Sequence, residues 1–554
     1  MTVLPAENNA ARIGRYAHIA QVLSSTTRNA EQWLARNSTP VVLTLMGVGL
    51  VVRVYYAHAS YLNPDEALHV VLARAQSWRS VYRHSLAVAH PPLSFLVEHL
   101  FSRCRSELAE RSPSIAAGTV ALWFGYQWLA RWTTPAAALL GVVLLAFSPA
   151  MISGATEIRG YALLQLGICG ALYSFERMWA DGSRRWGVVF AAFLYLAILS
   201  VYGAVWFIVT LGVLGLIRLW HTRAPRRLAA LWIASQCGAA ALYLVLYVTH
   251  LAHLHGSTLE AGAYSGYLRP FYFQPDQETV LGFLWSHFVR TFRYLMGKPT
   301  RGQIAMTAYL VAVAAFALRS LQRDQAGARL EPLERALQLT LPFALGVAGA
   351  ILHVLPFGGS RHVTYVFPFA LAGTAIGFAT LVRSRWMVLV TSVIAVPLWL
   401  ATTTPDNDPR CFSRPQMVAA LHFIRQTIAP GSLLITDGQT SSILVYYLDD
   451  RFAQSTEALA HSRRQLGKYR MRVADTPDWH FEDERLRDDV TSAARAEGVR
   501  AGDPVWVLSA RWELGKPAVG TLLPTGAMVA RHQFACFTAL EMRVGDTPVL
   551  IDRP

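Results

Sequence analysis

Long apolar blocks set the terms on which this chain can fold. Pro40 to Arg53, Ala136 to Ala150 and Trp386 to Ala401 are three of them. Each belongs to a segment of about 20 residues, the length an apolar helix needs to cross roughly 30 Å of hydrocarbon. Of the 554 residues, 53% are hydrophobic and only 15% charged, which is far from a soluble composition. The fold class read from this pattern is an α-helical polytopic membrane protein of about eleven transmembrane helices. The spans are expected near 40–58, 113–131, 135–152, 161–178, 187–202, 203–220, 229–249, 302–319, 336–355, 363–382 and 386–402. The fifth and sixth are nearly continuous, so a tight turn around Tyr202-Gly203 must separate them.

A net charge of +15 invites a nucleic-acid reading, but the arginines are in the wrong places for one. They gather in short links: Arg184-Arg185, Arg218 to Arg227, Arg319 to Arg335 and Arg383-Ser384-Arg385. That is the positive-inside pattern, with a secondary contribution to binding anionic headgroups. With residues 1–39 as a cytoplasmic segment, every basic link falls on the cytoplasmic side. The opposite face then receives loop 59–112, link 153–160, loop 250–301, link 356–362 and the tail 403–554. Residues 1 to 38 show no cleavable signal peptide.

The tail reads as a small α/β domain on the extracytoplasmic face. Ser432 to Thr436 and Pro504 to Ser509 read as buried strands, Asp437-Gly438 as a turn, and Ser441 to Leu448 as a helix or strand. Ala458 to Arg500 is charged with helical spacing. Cys169 and Cys237 read as inert residues of apolar segments. A bridge between Cys411 and Cys536 is open to the chain if the tail is extracytoplasmic.

Every residue with chemical potential falls on that same face. Asn63-Pro64-Asp65-Glu66 follows the first span. Asn63 is a good N-cap, Pro64 suits the first helical position, and Glu66 completes a capping-box pattern. Equally, a carboxylate beside a membrane interface can act as general base for a hydroxyl. His69 lies one turn further along the same face. His90-Pro91-Pro92-Leu93 opens an interfacial helix through a stiff turn, or holds His90 ready to donate to a phosphate or an acidic partner. Glu157, Arg159 and Tyr161 share a very short link, where the arginine either forms a weak ion pair or grips phosphate oxygens. Arg361-His362 after Gly358-Gly359-Ser360 has the same two readings, with snorkelling as the plain one. Loop 250–301 adds His250, His253, His255, Glu260, Arg290, Arg293 and Lys298. Its histidines lack the acidic or cysteine partners of a metal site, so no cofactor is assigned, although a divalent metal stays open. Tyr264, Tyr267, Phe271, Tyr272 and Phe273 suit either lipid headgroups or a sugar ring.

Pro64-Asp65-Glu66, His90-Pro91-Pro92-Leu93, Glu157-Ile158-Arg159-Gly160-Tyr161-Ala162-Leu163-Leu164, and Ser360-Arg361-His362 before Phe367-Pro368 come in an order that resembles the GT-C superfamily of membrane glycosyltransferases. The likeness covers about residues 40 to 400 and is greatest to bacterial members related to protein O-mannosyltransferases and to the aminoarabinose transferase of lipid A. It implies a polyprenyl-phosphate-linked sugar as donor, transfer with inversion to a glycan, lipid or protein acceptor, and residence in a bacterial cytoplasmic membrane. It implies Asp65 as catalytic base with Glu66 assisting. Arg159, Arg361 and His90 would hold the donor phosphate, and His69, Glu157, Tyr161, Lys298 and His362 are candidates for substrate contact. Ala67-Leu68-His69 departs from the usual continuation after the acidic pair, which leaves sugar and acceptor open. A transporter of lipid-linked sugar and an inactive binding subunit are the rival readings. Against the transporter stand spans nearly free of charge and candidate groups gathered on one face.

Overall fold

Ser148 precedes Pro149, and a residue before proline is driven out of the helical region into extended backbone. Ser148 accordingly has φ −57° and ψ 130°. The predicted third span is therefore two helices, α6 (Pro135–Phe147) and α7 (Pro149–Thr156), bent by 53° at the break. The break leaves carbonyls at the end of α6 without helical partners. Arg53 supplies donors from the first helix, α1 (Glu7–Ala59). Its Nη1 donates to Ala146 O at 3.1 Å and to Gly49 O at 3.0 Å, and its Nη2 reaches Leu145 O at 3.5 Å. Ser148 Oγ donates to Leu295 O at 2.6 Å. These contacts aim α7 at the link 157–160.

The structure is a computed structural model. It describes residues 7–86, 88–101, 106–222, 225–254, 266–321, 330–382, 408–449, 463–476, 479–511 and 527–545, with scattered positions between them. It is mostly helical with one small sheet near the C-terminus. Helices stand at ten of the eleven predicted spans; the eleventh lies largely outside the described residues. By length and composition, five described helices qualify as membrane-crossing, or six with the bent pair counted as one span. The expected turn between the fifth and sixth spans is Val201 to Gly203, between α9 (Arg184–Ser200) and α10 (Ala204–Thr222). Two boundaries differ from expectation. α1 runs back well before residue 40, with only a kink at Asn37. Loop 250–301 carries a 17-residue amphipathic helix, Val280–Met296, which span-length hydropathy does not register.

Charge within the helices is not as scarce as the sequence reading held. Besides Arg53, Glu176 is buried in α8 (Tyr161–Asp181). Arg218 Nη2 donates to both its oxygens at 2.9 Å, Arg335 Nη1 donates to it at 2.7 Å, and Trp132 Nε1 at 3.2 Å. This network ties α8, α10 and Leu330–Ile351 together. Glu176 lies on α8 some 22 Å by helical rise from Tyr161 at its start. The end of α8 away from Tyr161 thus carries a buried, paired charge cluster.

In the C-terminal domain the strands are β1 (Leu433–Thr436), β2 (Arg463–Leu466), β3 (Tyr469–Val473), β4 (Pro504–Ala510), β5 (Met528–Phe534) and β6 (Phe537–Arg543). Their order is β2-β3-β1-β4-β6-β5, with β1 parallel to β3 and β4. Gly438–Leu448 is a helix, while the charged stretch read as helical begins with β2 and β3 and becomes helical only over Leu486–Arg495. Side chains of β1 alternate between two cores. Leu433 and Ile435 face one side and Leu434 the other. Cys411 and Cys536 are disulfide-bonded.

Arg53→Met strips the donors from the end of α6 and leaves carbonyls unpaired in a dry interior. It should lower stability by about 1–3 kcal/mol, read as a lower thermal midpoint in detergent. An unchanged midpoint would show that the break does not depend on this cap.

Candidate active site

The four motifs converge. Asn63 caps α2 (Pro64–Ala73): its side chain accepts from Glu66 N at 2.9 Å, and Glu66 Oε2 accepts from Asn63 N at 3.1 Å. The capping reading is therefore correct for Glu66, whose carboxylate then goes further. Arg111, on α5 (Glu107–Leu129), grips it in a fork, Nε to Oε1 at 2.8 Å and Nη2 to Oε2 at 2.6 Å. Both side chains are fully buried. The remaining Arg111 donors reach Ala57 O at 2.6 Å, Ser60 O at 2.9 Å and Tyr61 O at 3.1 Å. Glu66 Oε1 also accepts from Ile158 N at 3.1 Å. One carboxylate thus joins α2, the end of α1, α5 and the link that carries Arg159. Glu66 is spent on architecture, and its partner Arg111 carries no motif that sequence reading could have picked out.

Asp65, one residue earlier, points elsewhere. Its Oδ2 accepts from Arg159 Nη1 at 2.6 Å and from Arg361 Nη2. The Asp65 side chain keeps 30% of its exposure, against 7% for Arg159 and 18% for Arg361. Burial alone would raise the Asp65 carboxyl, but the two guanidiniums outweigh it and hold it well below the usual carboxylate range. Arg361 Nη1 also lies 3.8 Å from Glu157 Oε2, and Glu157 Oε1 accepts from Ser153 Oγ at 3.1 Å.

Two glycines deliver the arginines. A Cβ on Gly160 would stand 2.2 Å from Ser200 O, so only glycine lets the link after Arg159 pass α9. Gly358 has φ +133°, a conformation that favours glycine, and turns the chain before Arg361.

His90 is placed differently from expectation. Its Nε2 lies against Arg159 Nη2, and since guanidinium only donates, that nitrogen accepts. Burial first, then Arg159 and neighbouring histidines, press His90 well below its ordinary value. It orients Arg159. His69 stacks on Phe95 at 4.4 Å and meets His90 edge-on at 5.2 Å. Burial first, then Arg159, press it well below its ordinary value too. Tyr161 lies under the Arg159 guanidinium at 5.3 Å. His362 accompanies Arg361, with the exposed Tyr267 ring 6.5 Å away. Tyr267 was visible in the sequence only as one of an aromatic run. Lys298 is exposed, and no contact joins it to the cluster among the described residues. His255 and Glu260 lie outside the described residues, and among those described no group of three His, Cys, Asp or Glu is placed to hold a metal.

Residues 89–253, which include His90 and Arg159 but neither Asp65 nor Arg361, match the family described as dolichyl-phosphate-mannose-protein mannosyltransferase. No curated protein matches the chain. Among solved structures, ArnT from Cupriavidus metallidurans in the apo state is 16% identical over 91% of this chain and 98% of its own, with a TM-score of 0.40. The Archaeoglobus fulgidus oligosaccharyltransferase in the apo form is 10% identical over 85% of this chain and 69% of its own, with a TM-score of 0.47. The S. cerevisiae Pmt1-Pmt2 complex bound to the sugar donor is 18% identical over 47% of this chain and 36% of its own, with a TM-score of 0.33.

Breaking a fully buried ion pair by removing one partner costs about 3–5 kcal/mol. Glu66→Ala should therefore unfold much of the protein in detergent, seen as loss of the monodisperse peak in size-exclusion chromatography. Asp65→Asn should leave that peak intact. Equal behaviour of the two variants would contradict the division of labour between neighbouring carboxylates.

Proposed function

We propose that this chain transfers a monosaccharide from a polyprenyl-phosphate donor to an envelope acceptor, with Asp65 as general base. The observation that carries the proposal is the pair of guanidiniums, Arg159 and Arg361, closed on one partly exposed carboxylate. In the reaction, an acceptor hydroxyl oxygen attacks the anomeric carbon and the bond from that carbon to the phosphate oxygen breaks. Polyprenyl phosphate leaves with the electron pair, and Asp65 takes the hydroxyl proton. Cationic donors stabilise the charge that develops on the leaving phosphate. Arg159 has a donor to spare: its Nε is buried without a partner among the described residues.

A carboxylate held by two guanidiniums is a poor base. Donor binding resolves this in the proposed sequence of events. The phosphate draws the arginines to itself, and Asp65, relieved of them, rises toward a basic value. His90 and Tyr161 keep Arg159 in place during that exchange. Below Tyr161, a small cavity is lined by Arg53, Gly118, Tyr161, Gln165 and Thr364. Arg53 Nε, Tyr161 Oη and Gln165 Oε1 are buried there without partners among the described residues, in a space of about 10 Å³, which suits a single water and not a sugar ring. The charge stabilisation in this reading comes from the arginines; the metal requirement, the sugar and the acceptor are not assigned.

Placement at the outer face of a bacterial cytoplasmic membrane rests on the arginine-rich links of the sequence, read as cytoplasmic, and on the disulfide, which belongs to an oxidising compartment. Clustering of the candidate groups at one end of the bundle favours an enzyme over a transporter, whose ionisable groups sit near the bilayer midplane.

With a radiolabelled polyprenyl-phosphate sugar and membrane acceptors, Asp65→Asn should lower transfer by at least about a hundredfold while the protein stays folded. Arg159→Ala and Arg361→Ala should raise the KM for donor more than that for acceptor. Full turnover by Asp65→Asn removes it from the base role, and equal effects of the arginine variants on both substrates count against phosphate recognition.

A further inference from the structure

The helix that carries Asp65 and the link that carries Arg159 rest on the same apolar core, and much of that core belongs to the C-terminal domain. Tyr61, Leu62, Ala67, Val70, Val71 and Ile158 pack with Leu434, Ile443, Leu444 and Val445. Polar contacts fix the register of this packing. Tyr447, on Gly438–Leu448, accepts from Leu62 N at 3.2 Å and donates from the same hydroxyl to Glu107 Oε1 at 2.6 Å. Glu107 Oε2 in turn pairs with Arg414 at 2.6 Å. At the far end of α2, Tyr446 donates to Glu110 Oε2 at 2.9 Å. Glu110 pairs with Arg74, the C-cap of α2, whose guanidinium lies 4.7 Å from the Tyr446 ring centre. The backbone closes the joint: Tyr61 N donates to Phe412 O at 2.8 Å, and Ser60 bridges Ser413. Cys411, next to Phe412, is bonded to Cys536 in the turn between β5 and β6.

From this we infer that the C-terminal domain positions the Asp65 helix, with Tyr447 as the chief positioning residue. The inference rests on the proposed transfer reaction. The contact is at the chain entering α2, since Leu62 precedes the Asn63 cap and stands three residues before Asp65. Tyr447 touches none of Asp65, Arg159 or Arg361, so its effect must pass through the backbone of residues 62 to 65. A base must be held in a narrow range of positions to work, and a displacement of about 1 Å can cost a hundredfold in rate. A domain that merely captured an acceptor would need no hydrogen bond to the entry of the catalytic helix.

The test is Tyr447→Phe, which keeps the ring in the core and removes only the hydroxyl. In purified enzyme, kcat per folded molecule should fall by at least about tenfold, with the KM for donor within about twofold of wild type. Amide exchange over residues 60–66 should accelerate. A purely structural tyrosine would instead reduce the yield of folded protein and leave kcat per folded molecule unchanged. Unchanged kcat together with unchanged exchange overturns the inference. A wild-type protein that transfers no sugar would sink the proposed reaction, and exchange over residues 60–66 would then decide the positioning role alone. If Tyr447→Phe does not accumulate, Tyr446→Phe probes the parallel link through Glu110 and Arg74, where exchange over residues 70–74 should rise. No change there overturns the inference in that arm.

Discussion

Two guanidiniums from residues 159 and 361 meet on one carboxylate, Asp65, which offsets their mutual repulsion in a poorly hydrated site. That contact ties together segments nearly three hundred residues apart. It also gives the site its character. Both guanidiniums are held by a carboxylate that a more strongly charged anion can replace, and a phosphate has the geometry and charge to do so. The neighbouring pair, Glu66 and Arg111, shows the opposite design. There every donor and acceptor is satisfied within the protein, nothing is exposed, and no ligand can compete. Adjacent residues on one helix thus enter two different networks, one fully buried and one partly exposed, because successive helical positions diverge by about 100°.

Much of this was legible in the sequence for definite reasons. Apolar length announces a membrane-crossing helix, and Asn63-Pro64 announces a helix start. The link between Thr156 and Tyr161 is so short that Arg159 cannot escape the bundle end. Other features have no local signature. Arg111 lies within a helix and looks like any arginine near a membrane surface until its contact with Glu66 is known. Arg53 interrupts an apolar run for a reason that lies in a different helix, at the Ser148-Pro149 break. The role of His90 depended on which group it faced. Proline geometry correctly placed it before a helix, but only the tertiary contact reveals that it accepts from Arg159. The charged stretch in the tail misled because β2 and β3 lie at one side of the sheet, where exposed strand positions carry arginines as readily as helices do.

The two ends of the membrane domain solve the same electrostatic problem with different consequences. Around Glu176 the arginines and tryptophan complete a buried network that joins three helices. Around Asp65 the network is partly exposed, and Arg159 Nε is without a partner among the described residues. The C-terminal domain packs against this second end, and the disulfide ties its entry to its last hairpin.

A structure of the protein with undecaprenyl phosphate bound measures the central claim directly. The account predicts phosphate oxygens within hydrogen-bond distance of both Arg159 and Arg361, with Asp65 released from at least one guanidinium and turned toward the space beside the phosphate. A phosphate seated elsewhere, or Asp65 still bridging both arginines with the lipid in place, would contradict it.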